Sequence, residues 1–318
     1  VPLTISEYDH PSPNDYVAEM YPMLASVAAY QDWDGIYHFN FSGPWNLGRM
    51  TGFFSSAGHP LKQIFLPVAA LIFREKSIPT AQERILLQVP ESSISSLLES
   101  SGEMIRLHGS NMGAVWDLAD WSPGLILQRR TELTFTQGDS VLMQGSAGPG
   151  REGNWGRKQG PINWDTRDSA NAVFELRSDA AQGCVGYVGG RTIELPDVNI
   201  TVASTPHDWA SITLTSLDAK SLEQTSSILL VAAGRVENVD MDWNDDRTTV
   251  GMGWGETPTR AESVPAAITL KDMGRWQVQT LDAHGQIADK VSVLQFGNSC
   301  KFAIGAEHQT LWYLITRI

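Results

Sequence analysis

Glu7 is the residue whose type and place most invite chemistry. It follows a short apolar run, Leu3-Thr4-Ile5, whose β-branched residues suit a buried strand. Behind it comes Tyr8-Asp9-His10-Pro11-Ser12-Pro13-Asn14-Asp15-Tyr16. The prolines, Asn and Asp mark that stretch as a loop. In barrels of parallel strands the loops at the carboxyl ends of the strands form the active face, so a carboxylate placed there can act on a substrate. The plainer alternative is a strand end that points to solvent. Tyr8, His10 and Asn14 share the loop and could hydrogen-bond the carboxylate; His10 and Asn14 could equally order the loop through local bonds.

Other chemistries find weaker support. Asp240 to Asp246 opens like a calcium loop, but an EF-hand needs Gly at its sixth position and Glu at its twelfth, where this chain has Asp245 and Gly251. A solvated acidic turn is the better reading. Gly251-Met252-Gly253-Trp254-Gly255 lacks the βαβ context of a dinucleotide site, and residues 145–156 lack the Gly-Lys-Ser/Thr ending of a phosphate loop. Gly109-Ser110-Asn111-Met112-Gly113 has the wrong spacing for a nucleophile elbow. Two isolated cysteines, Cys184 and Cys300, give neither a disulfide framework nor a metal site. No metal and no cofactor is expected. Hydrolysis by carboxylates is the chemistry left standing.

The elements that must hold Glu7 are legible in outline. Ala18 to Tyr30 repeats apolar residues at near-helical spacing, through Met20, Leu24, Val27 and Ala28. Gln31 to Gly35 is a turn, Ile36 to Phe41 a second strand, and Ser42 to Asn46 a loop that carries Trp45. Leu61 to Phe73 is apolar nearly all round and predicts a buried helix. The order β-α-β-α is that of a parallel sheet with helices on its face. Beyond Pro79 the composition changes. A strand is expected at Ile85 to Val89 and a helix at Ser92 to Ser101. Thr131 to Phe135 and Ser140 to Met143 read as a hairpin about Gln137-Gly138-Asp139. Gly145 to Gly160 reads as a loop, and from Ile162 onward short strands recur without helices, as in a β-sandwich.

Several of these stretches carry a resemblance. Ser6-Glu7-Tyr8-Asp9-His10-Pro11-Ser12-Pro13-Asn14, followed by Gln31-Asp32-Trp33-Asp34-Gly35-Ile36, resembles the last two βα units of a clan A glycoside hydrolase. His59-Pro60-Leu61-Lys62-Gln63 resembles the start of the final barrel helix, and the segments around Ser216, Leu229 to Asn238 and Met241 to Asn244 resemble the accessory β-domain. The resemblance implies a fold of the α/β plus all-β class. A partial (β/α)8 barrel segment over residues 1–78 would be followed by a β-sandwich over 79–318, with an irregular insertion at 90–160. It implies a retaining hydrolase of a polysaccharide or oligosaccharide, with Glu7 as nucleophile. Tyr8, His10 and Asn14 would then serve sugar hydroxyls, and Trp45 would stack on a sugar ring. Retaining enzymes pair the nucleophile with an acid/base carboxyl about 5–5.5 Å away. In the clan that group stands on the fourth strand, which this chain does not carry. The expected partners are therefore a carbohydrate and either an N-terminal barrel polypeptide or a self-association partner. A non-catalytic carbohydrate-binding or scaffold protein that uses the sandwich is the alternative.

The totals agree with a globular protein and narrow its partners. The chain has 318 residues and 11 Trp, an amphipathic residue that suits both cores and sugar faces. Its formal net charge of −13 argues against nucleic acid and against anionic membrane surfaces. No apolar run reaches transmembrane length. A chain that opens at Val1 is read as a processed product or a fragment.

Overall fold

Short apolar runs dominate the chain beyond Pro79, and strands dominate the fold. The computed structural model describes residues 2–42, 48–92, 123–138, 142–144, 154–156 and 160–318. The chain opens with β1 (Thr4–Tyr8), α1 (Met20–Gln31), β2 (Gly35–His38) and α2 (Pro60–Phe73). A small sheet follows, built from β3 (Arg84–Pro90), β4 (Arg130–Thr136) and β5 (Leu142–Gln144) in the order β4-β3-β5.

The next strands build the bulk of the molecule. They are β6 (Asn154–Gly156), β7 (Ile162–Asp165), β8 (Val173–Arg177), β9 (Ala181–Tyr187), β10 (Thr192–Glu194), β11 (Val198–Val202), β12 (Trp209–Ser216) and β13 (Ser227–Ala233). After the short pair β14 (Val236–Val239) and β15 (Glu256–Ala261) come β16 (Ala266–Leu270), β17 (Trp276–Leu281), β18 (Ile287–Val291), β19 (Val293–Phe296), β20 (Ser299–Ile304) and β21 (Trp312–Arg317). One sheet has nine strands in the order β18-β17-β21-β13-β12-β9-β8-β7-β6; the other has five, β10-β11-β16-β20-β19.

Why the helices sit where they do follows from β13. Successive side chains of a strand point to opposite faces. Ile228, Leu230 and Ala232 enter the core shared with the five-stranded sheet, beside Ile200, Ile268 and Ile304. Leu229, Val231 and Ala233 point the other way and meet Phe65, Val68 and Ile72 of α2. β12 is likewise buried on both faces along its whole length. A central strand that is apolar on both faces needs a layer on each side. Here the second layer is α2, which packs on β12 and β13 of the nine-stranded sheet and carries α1 on its other side. α1 ends at Asp32, whose left-handed backbone (φ 59°) lets its N–H close on the carbonyl of Ala29. α2 starts behind His59, with Pro60 in the first turn, where a missing N–H costs nothing.

The expected fold class is thereby corrected. Among the described residues β1 and β2 pair in parallel with each other and with no third strand, so no barrel segment exists. The helices read from the sequence are present, but α2 covers an antiparallel sheet, with α1 packed on α2, instead of both wrapping a parallel one. The expected hairpin at Gln137 to Asp139 is also replaced. β3 lies between β4 and β5, parallel to the first and antiparallel to the second. A strand, β6, falls within the expected loop at 145–160. The helix expected at 92–101 lies, after its first residue, outside the described residues. The boundary expected near Pro79 falls between α2 and β3, and the cores on its two sides are continuous through α2.

Candidate functional site at the carboxyl ends of the parallel pair

β1 and β2 run in parallel with Thr4 opposite Gly35 and Ile5 opposite Ile36. At their amino ends the Asp34 carboxylate accepts the Leu3 N–H at 2.8 Å, and at their carboxyl ends the Phe39 N–H donates to the Tyr8 carbonyl at 3.0 Å. Two loops are then stitched to the segment around Phe53. Ser12 N–H donates to the Phe53 carbonyl at 2.7 Å and Asn40 N–H to the Phe54 carbonyl at 3.2 Å. The chain beyond both strands is thus drawn to one place, and Glu7 stands one residue before it.

Glu7 is exposed and makes no hydrogen bond or ion pair with a described residue. Tyr8 and His10 are brought together: the phenol and His10 Nε2 are 3.1 Å apart, and the rings are 5.7 Å apart. His10 Nδ1 is buried, has no hydrogen-bond partner among the described residues and lies 3.8 Å from Glu19 Oε1. Burial holds His10 below its usual range, with the Lys62 cation adding to the effect, so the imidazole is neutral at neutral pH and this contact is not an ion pair. Asn14 stays local; its Oδ1 accepts the Tyr16 N–H at 2.8 Å, which orders the loop. Trp45 lies outside the described residues.

The sequence reading missed the centre of this region. Lys62, on α2, points its ammonium at Asp9, with Nζ 2.6 Å from Oδ1 and 2.7 Å from Oδ2. The two side chains are 0% and 2% exposed, so this is a fully buried ion pair. Burial lowers Lys62 and raises Asp9, and in each case the partner's charge opposes that shift. His59 caps α2 by accepting the Lys62 N–H on Nδ1 at 3.4 Å. It is buried completely, and burial, helped by the Lys62 cation, pulls it down to about 3. His38, at the end of β2, packs against Tyr21 at 5.7 Å, and both its ring nitrogens are buried. Burial and Lys62 lower it too. The result is one buried cation close to neutral imidazoles and one carboxylate, Asp9, which follows the last residue of β1. One signal in the sequence pointed to it: a lysine in a helix that is apolar nearly all round must bury its charge, and a buried charge needs a partner.

Aromatic side chains follow at the same end of the pair, where Phe53 and Phe54 are exposed although large and apolar; Tyr37 is exposed too, but its ring leans back towards Gly35 at the amino end of β2, and Phe41 is exposed beyond β2. The expected acidic turn at Asp240 to Asp246 is held by its own polar groups, with Asn244 Oδ1 accepting the N–H of Thr248 and of Thr249. Among the described residues no three His, Cys, Asp or Glu side chains are grouped so as to hold a metal ion. No family model matches the chain, and neither a curated protein nor a solved structure matches it.

Glu19 yields a test of the electrostatics. Burial pushes its carboxyl up to about 7 from an ordinary 4.5. Between those values the folded protein holds a proton that the unfolded chain releases, so stability falls as pH rises through the window. Glu19→Gln keeps the neutral form at every pH. The variant should melt with the wild type at pH ~4, and above pH ~8 it should be the more stable by roughly 1–2 kcal/mol, a figure reduced because the side chain is 32% exposed. Chemical denaturation at the two pH values checks this. Equal stability at high pH would show that Glu19 ionises freely in the fold.

Proposed function

We propose that this chain belongs to a retaining glycoside hydrolase in which Glu7 is the nucleophile. The observation that carries the reading is an exposed carboxylate near the carboxyl end of a parallel strand, with no hydrogen bond or ion pair to a described residue. The resemblance of residues 6–14 and 31–36 to the end of a clan A sequence supports it, although the described residues form no barrel segment. The exposed rings of Phe53 and Phe54 offer the flat apolar faces on which sugar rings stack.

The chemistry runs in two displacements. A Glu7 carboxylate oxygen attacks the anomeric carbon, the bond to the leaving oxygen breaks, and that oxygen takes a proton from an acid. Water then attacks the same carbon, the ester to Glu7 breaks, and the carboxylate is regenerated. The acid is assigned to a partner polypeptide, as the resemblance implies. Tyr8 and His10, 3.1 Å apart, would fix the orientation of the nucleophile's strand end.

The reading is tested with dinitrophenyl glycosides, whose leaving group departs without a proton and so bypasses the missing acid. The wild type should turn over at least one of them, and Glu7→Gln should not. Equal turnover by both proteins would end the assignment of Glu7.

A further inference from the structure

A cleft of about 590 Å³ opens beside the aromatic cluster, lined among others by Arg49, Asp240, Met252, Trp254 and Glu256. Its two walls come from distant parts of the chain, the segment around Met50 and the turn before β15. A buried asparagine ties them together. Asn238 accepts the Met50 N–H at 2.9 Å through Oδ1, and through Nδ2 it donates to the carbonyls of Met50 (3.0 Å) and Trp254 (2.7 Å). Gly255 completes the turn at φ +68°, where an added Cβ would stand 2.2 Å from the Val239 carbonyl oxygen. The cleft is therefore preformed.

A line of rings connects it to the strand ends. Phe39, next to the last residue of β2, meets Phe54 at 5.4 Å; Phe54 meets Phe53 at 6.5 Å; Phe53 meets Trp254 at 5.6 Å. Phe53 and Phe54 are exposed at 58% and 41%, so the line is open to solvent along its middle. Met252, at the tip of the turn, is 95% exposed and is an adaptable apolar contact for a ligand in the cleft. The polar lining selects the ligand. Asp240 and Glu256 offer acceptors for hydroxyl groups, whereas the cation, Arg49, is already engaged by the Gly255 carbonyl and stands 3.8 Å from Glu256. Aromatic faces with carboxylate acceptors and a neutralised cation suit an uncharged polyol and disfavour an anion.

We infer that this cleft is a distal binding site for a neutral oligosaccharide chain that reaches it from the Glu7 end of the parallel pair, along the Phe54, Phe53 and Trp254 rings. The inference rests on the glycoside hydrolase reading and makes its substrate a polymer of several sugar units, not a short glycoside.

The test is calorimetric titration of the Glu7→Gln protein, which cannot consume its ligand, with β-linked glucan, mannan and xylan hexasaccharides and their disaccharides. One hexasaccharide should bind at least about tenfold more tightly than its disaccharide, a gap of about 1.4 kcal/mol. Trp254→Ala should remove that advantage and leave disaccharide affinity unchanged. Phe53→Ala, at an exposed position, should likewise lower hexasaccharide affinity and serves if Trp254→Ala folds poorly. A hexasaccharide advantage that survives both substitutions, or no hexasaccharide advantage at all, would overturn the cleft. Trp254-dependent hexasaccharide binding by a protein whose wild type cleaves no glycoside would uphold the cleft and overturn the hydrolase reading. Cleavage of dinitrophenyl glycosides without hexasaccharide binding would do the reverse.

Discussion

Lys62→Met should destabilise the protein by about 3–5 kcal/mol, because it leaves the Asp9 carboxylate buried without its cation. The side chains have similar length, so packing along the stem is preserved and the loss is electrostatic. Asp9 has one escape, which is to take up a proton. Its folded pKa in the variant then lies above the unfolded value, so the penalty is absent below the unfolded value and grows as pH rises through the folded one. Denaturation at pH ~4 and ~8 separates this from a packing defect, which would not depend on pH. Replacing both partners, Asp9→Leu with Lys62→Met, should recover most of the stability, since a buried ion pair is close to neutral against apolar residues of like volume. A cost under about 1 kcal/mol for Lys62→Met at pH ~8 would mean that the pair is already uncharged in the native protein.

Glu7→Gln is the second large effect, and it should be confined to catalysis. The amide is nearly isosteric but cannot form the glycosyl ester. Turnover of an activated aryl glycoside should fall by roughly 10⁴-fold, about 5.5 kcal/mol of transition-state stabilisation. Stability should stay within about 0.5 kcal/mol, because Glu7 is exposed and makes no contact with a described residue that the substitution could break. The contrast with Lys62 is the point of the pair of variants. One group is buried and holds the loop; the other is free and is assigned the chemistry. A Glu7→Gln protein that loses both activity and several kcal/mol of stability would place Glu7 among the structural groups.

The elements of this protein were more legible than their partners. β13 reads as a strand from Ile228-Leu229-Leu230-Val231-Ala232-Ala233, and its lack of any polar position implies burial on both faces. The helices that cover its second face, however, have the same local pattern as helices over a parallel sheet. Nothing in the spacing of Phe65, Val68 and Ile72 names the sheet they will meet, so the order β-α-β-α was assigned to the wrong architecture. The middle strand of the small sheet escaped for a related reason: the Gln137-Gly138-Asp139 turn signal is local, whereas β3 pairs with residues 46 positions further on, Arg84 with Arg130.

At the site, Tyr8 and His10 were found because they follow Glu7 in sequence. Asp9 was passed over on the same loop because its partner is 53 residues away. Glu19 carries no sign of burial in its sequence neighbourhood. It precedes α1 on a turn of 3-10 helix, Val17–Glu19, whose tighter winding shifts side chains off the face that the α-helical repeat assigns them. His59 carried a readable signal, since a residue just before Pro60 at a helix start is placed to cap, but only burial makes it neutral.

The central claim is a covalent bond between Glu7 and a sugar. It is tested most directly by incubating the wild-type protein with fluorinated glycosyl fluorides, whose leaving group needs no acid and whose ester hydrolyses slowly, followed by mass spectrometry of the digested protein. The account predicts one glycosyl adduct, on the peptide that contains Glu7 and on that carboxylate, and none on the Glu7→Gln protein. An adduct on another carboxylate, or hydrolysis of these reagents with Glu7 unlabelled throughout, would contradict it.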